Sequence, residues 1–347
     1  MKRLLNTLYI TTPDSYLSKD GTNLVVLSKD EEIGRIPIHN LQSVICFGHT
    51  GASPSAMRLC TDNSVSLSFM TPYGKFQAAI VGETKGNVLL RREQYRLADN
   101  LDTSLEISKN ILRGKFMNSR YLLRRGKNDH KDSIDVSRID QAINHISLSL
   151  ESIDTYENAD SLRGLEGDVA RSYFMGLNEL ILKQKDDFHM KLRSRRPPMD
   201  NMNSLLSFLY TLLAHDVKSA LEAVGLDPYV GFLHTDRPGR PSLALDIMEE
   251  MRPILVDRLA LNLVNLSIVS GDGFVEKETG GIIMKNDTRD IVLERWQTRK
   301  TEEVFHPFIE EKIKIGLVPH VQSMLLSRYI RKDIDGYAPF LMMQARQ

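Results

Sequence analysis

The densest group of chemically capable side chains in the sequence lies between residues 231 and 253. It combines an imidazole, three carboxylates and three guanidiniums: His234, Asp246, Glu249, Glu250, Arg237, Arg240 and Arg252. Helical spacing of i,i+3 and i,i+4 puts the three acids on one face. Like charges about 4 Å apart repel by roughly 4 kcal/mol at an effective dielectric near 20. Protons, the arginines or a divalent cation must offset this repulsion, and carboxylates with an imidazole suit Mg²⁺ or Mn²⁺.

The elements around this group follow from local signals. Ser242 is predicted to cap the start of the acidic helix through its hydroxyl. Pro253 lacks the N–H that would bond to the Glu249 carbonyl, which predicts a break where the acids lie. The alternative is a plain solvated helix face carrying Glu249 and Glu250, with no chemistry of its own.

Composition limits the classes of protein that need considering. The chain has 347 residues, 41% of them hydrophobic, and a formal net charge of zero, so a polyanionic partner must be met by local basic patches. Two cysteines are too few for a disulfide scaffold or a zinc cage. The start, MKRLLNTLYI, lacks the pattern of a signal peptide, and no apolar run is long enough for a membrane span. We therefore expect a cytoplasmic protein with no membrane contact.

The hydrophobic period divides the chain into two domains of an α+β protein. Residues 1–85 predict a small antiparallel β-sandwich, with a short helix after Ser53 and strands in four alternating runs: Leu24–Leu27, Ile33–Ile38, Val65–Phe69 and Phe76–Val81. Residues 86–100 are a polar junction, and residues 101–347 predict a larger, mainly helical domain. Within it we expect a hairpin over 271–284, helix from Asp290 to Arg331 with a break at Gly316–Pro319, and a loosely held tail after Gly336.

Three further stretches of the helical domain carry charge or chemistry. Glu166 lies at the margin of an apolar helical stripe, where a carboxylate is either paired or used. Arg195 and Arg196 form a basic loop, and residues 105–131 carry eight Lys or Arg side chains that form either a solvated face or a phosphate-binding surface. His215-Asp216 offers a rival, a histidine–aspartate metal phosphohydrolase, although a lone dipeptide is a weak signal.

Taken together, three ordered segments resemble a known family: GLEGDVARSYF (164–174), RRPPMDNMNSLLSFLYTLL (195–213) and GLDPYVGFLHTDRPGRPSLALDIMEEMRP (225–253). They resemble the CRISPR-associated adaptation integrase, the endonuclease-integrase subunit that inserts new spacers. The likeness extends over nearly the whole chain, including the GNVLLRREQY junction. The resemblance implies a β-sandwich for dimerisation followed by a helical, metal-binding catalytic domain.

The resemblance also assigns residues. The family's glutamate corresponds to Glu166, its histidine to His234 and its third acid, an aspartate in some members, to Glu249. Asp246 matches a second acid one turn earlier, so the resemblance leaves open which of the two binds metal. Arg252 lies where the family has a basic residue near the reacting phosphate, and Arg195, Arg196, Arg237 and Arg240 are expected to bind DNA.

The implied reaction joins the 3′-hydroxyl of a prespacer to a phosphodiester of the CRISPR repeat. Mg²⁺ or Mn²⁺ would activate the hydroxyl and neutralise phosphoryl charge. The implied partners are double-stranded DNA (prespacer and repeat), a second copy of this chain in a homodimer, and a small ferredoxin-like adaptation protein. A competing hypothesis is a catalytically silent DNA scaffold, in which the basic residues matter and the acids do not.

Overall fold

A computed structural model describes residues 7–41, 43–72, 76–80, 82, 88–278 and 280–342. The chain separates into two compact units, residues 1–86 with 289–301, and residues 87–288 with 302–347. No helix in the described ranges is long and apolar enough to cross a membrane. Strands come first and helices dominate afterwards, which confirms the α+β prediction.

The first unit contains two four-stranded sheets. Their strands are β1 (Thr7–Ile10), β2 (Ser15–Asp20), β3 (Asn23–Ser28), β4 (Glu31–Pro37), β5 (Ser43–Phe47), β6 (Gly51–Ala52), β7 (Ser66–Met70) and β8 (Phe76–Ile80), with helix α1 (Pro54–Asp62) between β6 and β7. The sheet orders are β1-β5-β7-β8 and β4-β3-β2-β6. Four predicted strand runs correspond to β3, β4, β7 and β8, although Val81 lies outside the described residues.

The prediction of an antiparallel sandwich is wrong in part. The pairs β1–β5, β5–β7 and β2–β6 are parallel. Parallel neighbours require a crossover, and α1 supplies one between β5 and β7. Ser53 caps α1 as predicted, accepting from the Ala56 N–H at 3.2 Å. Apolar residues of both sheets and of α1 share one core, and it includes both cysteines, Cys46 and Cys60, as buried free thiols.

The second unit is mainly helical. Its helices are α2 (Val88–Asp99), α3 (Leu101–His130), α4 (Val136–Ser152), α5 (Ala159–Glu179), α6 (Lys185–Phe188), α7 (Asn201–Val224), α8 (Ser242–Glu249), α9 (Arg258–Asn265), the start of α10 (Asn286–Thr301) and α11 (Val318–Ile330). A π-helical segment, Arg252–Asp257, separates α8 from α9. The break therefore falls next to Pro253, as the sequence predicts.

Two short hairpins complete this unit: β9 (Phe274–Glu276) with β10 (Ile282–Met284), and β11 (Glu303–His306) with β12 (Glu311–Lys314). The first was predicted. The second contradicts the prediction of helix from Asp290 to Arg331. In addition, Arg289–Thr301 groups with the first unit, where the Gln297 amide donates to the Thr7 carbonyl at 3.0 Å.

The predicted junction, residues 86–100, is mostly helical. Residues 86 and 87 lie outside the described residues, and α2 occupies Val88–Asp99. Gln94 of α2 is fully buried and bonds the loop after α7, donating to the Asp227 and Val230 carbonyls at 2.8 and 2.9 Å and accepting from the Asp227 N–H at 2.9 Å. Helix α2 therefore holds the start of the segment that carries His234.

The segment after Gly336 is packed, contrary to the prediction of a loose tail; residues 343–347 lie outside the described residues. Tyr337 and Phe340 are buried, and the Phe340 ring centroid lies 5.5 Å from that of His306. Asn118 of α3 donates to the Phe340 carbonyl at 2.8 Å and accepts from the Met342 N–H at 2.8 Å. Aromatic anchors and one asparagine fix this segment, which a search for helical periodicity does not detect.

Phe340→Ala should therefore lower the free energy of unfolding by about 3–5 kcal/mol, because it removes a fully buried ring. Urea unfolding of the full chain measures this. The matched control is Phe308→Ala: Phe308 is 46% exposed, and we expect a loss below about 0.5 kcal/mol. Equal losses for the two variants would mean that the C-terminal segment does not contribute to the core.

Candidate active site

The loop before α8 is tied down by one carboxylate, Asp246. Its Oδ2 accepts from the Phe232 and Leu233 N–H groups at 2.6 and 3.0 Å. Its Oδ1 accepts from the His234 N–H at 3.0 Å and lies 2.6 Å from the His234 Nδ1. Asp246 is fully buried. A carboxylate only accepts, so Nδ1 donates to Asp246 and Nε2 is the ring nitrogen that Asp246 does not engage.

These four contacts bear on a question that the sequence leaves open. Both Asp246 oxygens are engaged by the loop, and Asp246 holds the His234 ring through Nδ1. Gly231 permits the approach: a Cβ there would lie 2.7 Å from Asp246 Oδ2 and 2.9 Å from Ser242 Cβ. Only glycine fits this position without moving the loop.

Ser242 does not cap α8 as predicted. The Leu245 N–H donates to the Pro241 carbonyl at 3.0 Å, so the helix begins one residue earlier than expected. The Ser242 hydroxyl instead donates to the Thr235 carbonyl at 3.2 Å. This bond ties the loop after His234 to the first turn of α8.

A buried lysine joins the two remaining candidate acids. The Lys115 ammonium of α3 contacts Glu166 Oε1 of α5 and lies 2.8 Å from Glu249 Oε2. The Arg252 guanidinium lies 2.8 Å from Glu249 Oε1. Glu166 is reached because α5 starts at the Asn158 cap and buries the predicted stripe, including Leu165.

Charge is balanced inside this cluster. Burial alone would raise the pKa of Glu249, but Arg252, Lys115 and His234 outweigh it and hold the pKa at about 2. Burial would lower the pKa of Lys115, but Glu166 and Glu249 keep it above its usual value. Glu249 is therefore ionised and the lysine is charged at neutral pH.

The three acids of α8 do not converge, contrary to the sequence prediction. Helix α8 ends at Glu249, and Glu250 lies in the following turn. Its carboxyl group contacts the Tyr337 hydroxyl, the Phe340 N–H and, at 3.1 Å, the Gln322 amide. Burial raises the pKa of Glu250 to about 8 despite these bonds. Glu250 thus anchors the C-terminal segment.

The metal set that the resemblance implies is only partly assembled. Glu166 and Glu249 meet at Lys115, and His234 is close enough to Glu249 to lower its pKa. Across the described ranges, no three His, Cys, Asp or Glu side chains are grouped closely enough to hold an ion as they stand. The Lys115 ammonium supplies the positive charge between the two carboxylates.

Sequence reasoning missed an aromatic and acidic group behind Arg252. The Tyr173 and Tyr210 hydroxyls donate to Asp257 at 2.6 and 2.5 Å, and burial raises the pKa of Asp257 to about 6. The Arg252 guanidinium carbon lies 4.9 Å from the Tyr210 ring centroid. These residues and Lys115 and Arg195 line a small cavity. In the sequence, Tyr173 belongs to the apolar stripe of α5, and Asp257 only interrupts an apolar run. Neither pattern indicates a functional residue.

The predicted DNA-binding arginines lie at the surface. Arg195, Arg196 and Arg237 are exposed and Arg240 is partly exposed. Burial, followed by the charge of Arg237, lowers the pKa of Arg240, and Arg163 and Arg196 add to this effect. Arg196, Arg237 and Arg240 therefore form one positive group near the His234 loop.

Other predicted basic residues are already paired. Arg193 donates to Asn203 Oδ1 at 2.6 Å and stacks on the Tyr210 ring at 5.4 Å. In the 105–131 run, Arg113 pairs with Asp154, Lys127 with Asp140, and Lys115 with the acids described above. These three of the eight basic residues of this run are thus engaged by acids of the chain, while Arg124, Arg125 and Lys131 are exposed.

The rival His215-Asp216 pair lies in α7. Burial, and secondarily Lys218, lowers the pKa of His215 from 6.5 to about 4. The imidazole is therefore neutral at pH 7, and no group of metal-binding side chains surrounds it among the described residues. This arrangement favours a structural role.

His215→Gln should leave DNA strand transfer at pH 7.5 within about threefold of wild type, because His215 does no chemistry. The substitution should instead make the stability of the fold less sensitive to acid. Below pH 6.5 the histidine of the unfolded chain binds a proton, whereas His215 in the folded chain stays neutral until about pH 4. The free energy of unfolding therefore falls as the pH falls. Between pH 7.5 and 5 this costs wild type roughly 2 kcal/mol that the glutamine variant does not lose. Urea unfolding at both pH values measures it; loss of activity without loss of stability would revive the phosphohydrolase hypothesis.

The arrangement belongs to a class of protein with a β-rich unit and a helical unit that holds a carboxylate–imidazole–cation site. The family model described as "CRISPR associated protein Cas1" matches residues 8–298. The chain belongs to this Cas1 family, which confirms the resemblance seen in the sequence.

Relatives and solved structures agree. The chain is 44% identical over 341 residues to "CRISPR-associated endonuclease Cas1 1" of Chlorobaculum tepidum, covering 98% of this chain and 99% of the relative. It is 45% identical over 344 residues to "CRISPR-associated endonuclease Cas1 2" of Rhodospirillum rubrum, with the same coverage. A Cas1 protein from Thermotoga maritima shares the fold, with a TM-score of 0.81, 21% identity, and coverage of 98% and 100%. A casposase bound to integration product also shares the fold, with a TM-score of 0.82 and 21% identity, covering 96% of this chain and 92% of the casposase chain.

Proposed function

We propose that the chain is a metal-dependent DNA endonuclease and integrase of CRISPR adaptation, acting in antiviral defence. The observation that carries the proposal is the pairing of two carboxylates, the partly exposed Glu166 and the buried Glu249, at one buried lysine, beside an imidazole whose Nδ1 is held by Asp246. Two relatives are named as endonucleases, and a similarly folded casposase is bound to integration product. Both observations support the same chemistry.

Glu166, Glu249 and the Nε2 of His234 would hold Mg²⁺ or Mn²⁺. The residues fit such an ion: the buried Oε2 of Glu249 faces a cation, the Lys115 ammonium at 2.8 Å, and Asp246 engages Nδ1 of His234 and not Nε2. A carboxylate that orients a ligating histidine is a common supporting feature of metal sites. When bound, the ion would supply a Lewis acid that favours ionisation of the attacking hydroxyl and offsets phosphoryl charge.

The protein's own groups bind and orient the DNA. In the reaction, a prespacer 3′-oxygen forms a bond to the phosphorus of a repeat phosphodiester while the bond to the departing 3′-oxygen breaks. The attacking hydroxyl loses a proton and the departing oxygen gains one. Arg252 has a buried Nε without a partner among the described residues and borders the same cavity as Arg195. We assign Arg252 to the reacting phosphate, where it stabilises negative charge.

Arg195, Arg196, Arg237 and Arg240 would bind the DNA backbone. With a net charge of zero, the chain depends on this local group for affinity. Each phosphate contact on duplex DNA steepens the salt dependence of affinity by about 0.9 log units per tenfold change in salt. The double reversal Arg195→Glu, Arg196→Glu should weaken binding to every DNA sequence and flatten that slope. An unchanged slope would remove these residues from the DNA surface.

The proposed partners follow the family. We propose a homodimer formed through residues 1–85, a small ferredoxin-like partner, and a cytoplasmic location. Similarly folded chains occur in multiprotein assemblies such as the "Cas6-RT-Cas1--Cas2 complex", which supports assembly with a second protein. Sedimentation of the purified chain, alone and with the small partner, tests both associations; a monomer at all concentrations would contradict the dimer.

A strand-transfer assay tests the function itself. The purified chain and its small partner are mixed with a labelled 3′-hydroxyl duplex and supercoiled repeat DNA, with Mn²⁺ or with EDTA. We expect labelled joined product only with metal, and none from a matched duplex ending in a 2′,3′-dideoxynucleotide. Tight DNA binding with neither joining nor cleavage would favour the silent scaffold.

A further inference from the structure

Lys115 is held in the site by the packing of α3 and has little freedom to leave it. A Cβ at Gly114 would lie 2.7 Å from Pro339 Cβ and 3.0 Å from Glu250 Cβ, so α3 approaches the end of α8 as closely as glycine allows. One turn on, Asn118 donates to the Glu250 carbonyl at 2.7 Å. The Lys115 side chain is only 8% exposed.

The contacts of Lys115 are the two carboxylates proposed as metal ligands. Its ammonium touches Glu166 Oε1 and lies 2.8 Å from Glu249 Oε2. Without a cation between them, two such carboxylates would repel, and removing one partner of a buried ion pair is strongly destabilising. Arg252 contacts only the other oxygen of Glu249 and does not reach between the two acids in this arrangement.

We propose that Lys115 is an internal counter-ion that competes with the divalent metal for Glu166 and Glu249 and thereby sets the metal affinity of the site. This inference rests on the proposed metal-dependent function. An ammonium and a divalent cation repel each other and require the same oxygen atoms, so metal binding has to break both lysine contacts. The cost of breaking them weakens metal binding, while the same contacts stabilise the metal-free protein.

The test is Lys115→Met in the full chain, which keeps an unbranched side chain one atom shorter and removes its charge. Mn²⁺ binding is measured by calorimetry without DNA, and thermal unfolding is measured in EDTA and in Mn²⁺. We expect Mn²⁺ to bind about tenfold or more tightly, a lower melting temperature in EDTA, and a larger rise on adding Mn²⁺ than in wild type. If the variant is unfolded in EDTA, Mn²⁺ should restore the folded state.

Two further variants keep the result interpretable. Lys127→Met removes a lysine of the same helix that pairs with the partly exposed Asp140, and it should leave Mn²⁺ affinity within about twofold of wild type. Lys115→Arg keeps the charge and should bind Mn²⁺ no more tightly than wild type. Tighter binding in Lys115→Arg would show that size rather than charge controls the site.

Unchanged or weaker Mn²⁺ binding by Lys115→Met, with measurable binding by wild type, overturns the role of Lys115 and leaves the proposed function standing. Failure of Lys115→Met to fold even in Mn²⁺, while Lys115→Arg folds and binds, also overturns it, because the lysine is then purely structural. Absence of Mn²⁺ binding to every protein overturns both the inference and the proposed metal site.

Discussion

Glu166→Gln, His234→Ala and Glu249→Gln are each expected to reduce strand transfer by at least about a thousandfold, or roughly 4 kcal/mol in barrier. Each removes one of the three groups proposed to hold the metal. Glu166→Gln is the most informative, because Glu166 is partly exposed and its loss leaves Glu249 to neutralise Lys115. Glu249→Gln also leaves Lys115 and Arg252 buried with less compensation, so a loss of stability must accompany it.

Single-turnover joining of the labelled duplex measures these rates, and urea unfolding checks the fold of each variant. The matched control is Asp168→Asn, which lies on the same helix as Glu166 but is exposed and pairs with the exposed Arg171. It should retain activity within about threefold of wild type. A folded variant of Glu166, His234 or Glu249 with wild-type rate would remove that residue from the site.

The parts of the fold that were predictable depend on local sequence. The stripe of α5 is read from the 3.6-residue period, and Leu165, Val169, Tyr173 and Leu177 are all buried. The end of α7 follows from Gly225, whose φ of 87° favours glycine. The break at Pro253 follows from its missing N–H. Each of these signals acts within a few residues of its cause.

The parts that were not predictable depend on contacts distant in sequence. Asp246, Glu249 and Glu250 share a spacing but have three unrelated sets of partners: the His234 loop, the Lys115 cation and the C-terminal segment. Nothing in the spacing says which acid each partner meets. Lys115 illustrates the same limit, because among eight basic residues in one run only the packing of α3 distinguishes it. The parallel pairing of β1, β5 and β7 likewise follows from topology.

The position of Asp246 shows why the third acid was ambiguous. Family resemblance aligns two acids, one turn apart, with a metal site, and either has the right chemistry. Their contacts separate them: Asp246 accepts four contacts from the 232–234 loop, whereas the buried Oε2 of Glu249 faces the Lys115 ammonium at 2.8 Å. The structure therefore favours Glu249 as the ligand and Asp246 as the residue that orients His234.

This division of roles predicts the outcome of Asp246→Asn. The amide has the same shape, but its NH₂ group must face N–H donors on one side. If the NH₂ group takes the place of Oδ2, the Phe232 and Leu233 N–H groups lose their acceptor. If the NH₂ group takes the place of Oδ1, it donates to Nδ1 of His234 and moves the ring proton to Nε2. Either way a buried donor is unpaired, and we expect a loss of roughly 3 kcal/mol in stability.

The larger effect should be on the site. If the amide NH₂ faces His234, the imidazole has the wrong tautomer; if it faces Phe232 and Leu233, the loop that carries His234 loses two of its anchors. Either change disturbs the presentation of Nε2, so Mn²⁺ affinity should fall by about 10–100-fold. Strand transfer should fall by about a thousandfold even at saturating Mn²⁺, since the imidazole no longer has the productive geometry. The control is Asp236→Asn, an exposed carboxylate two residues from His234 in the same loop, for which binding, rate and stability should stay near wild type. Calorimetry, single-turnover joining and urea unfolding separate the effects. If Asp246→Asn lost stability but kept wild-type Mn²⁺ affinity and rate, Asp246 would be a structural anchor of the loop, and the orientation of His234 would have to come from another group.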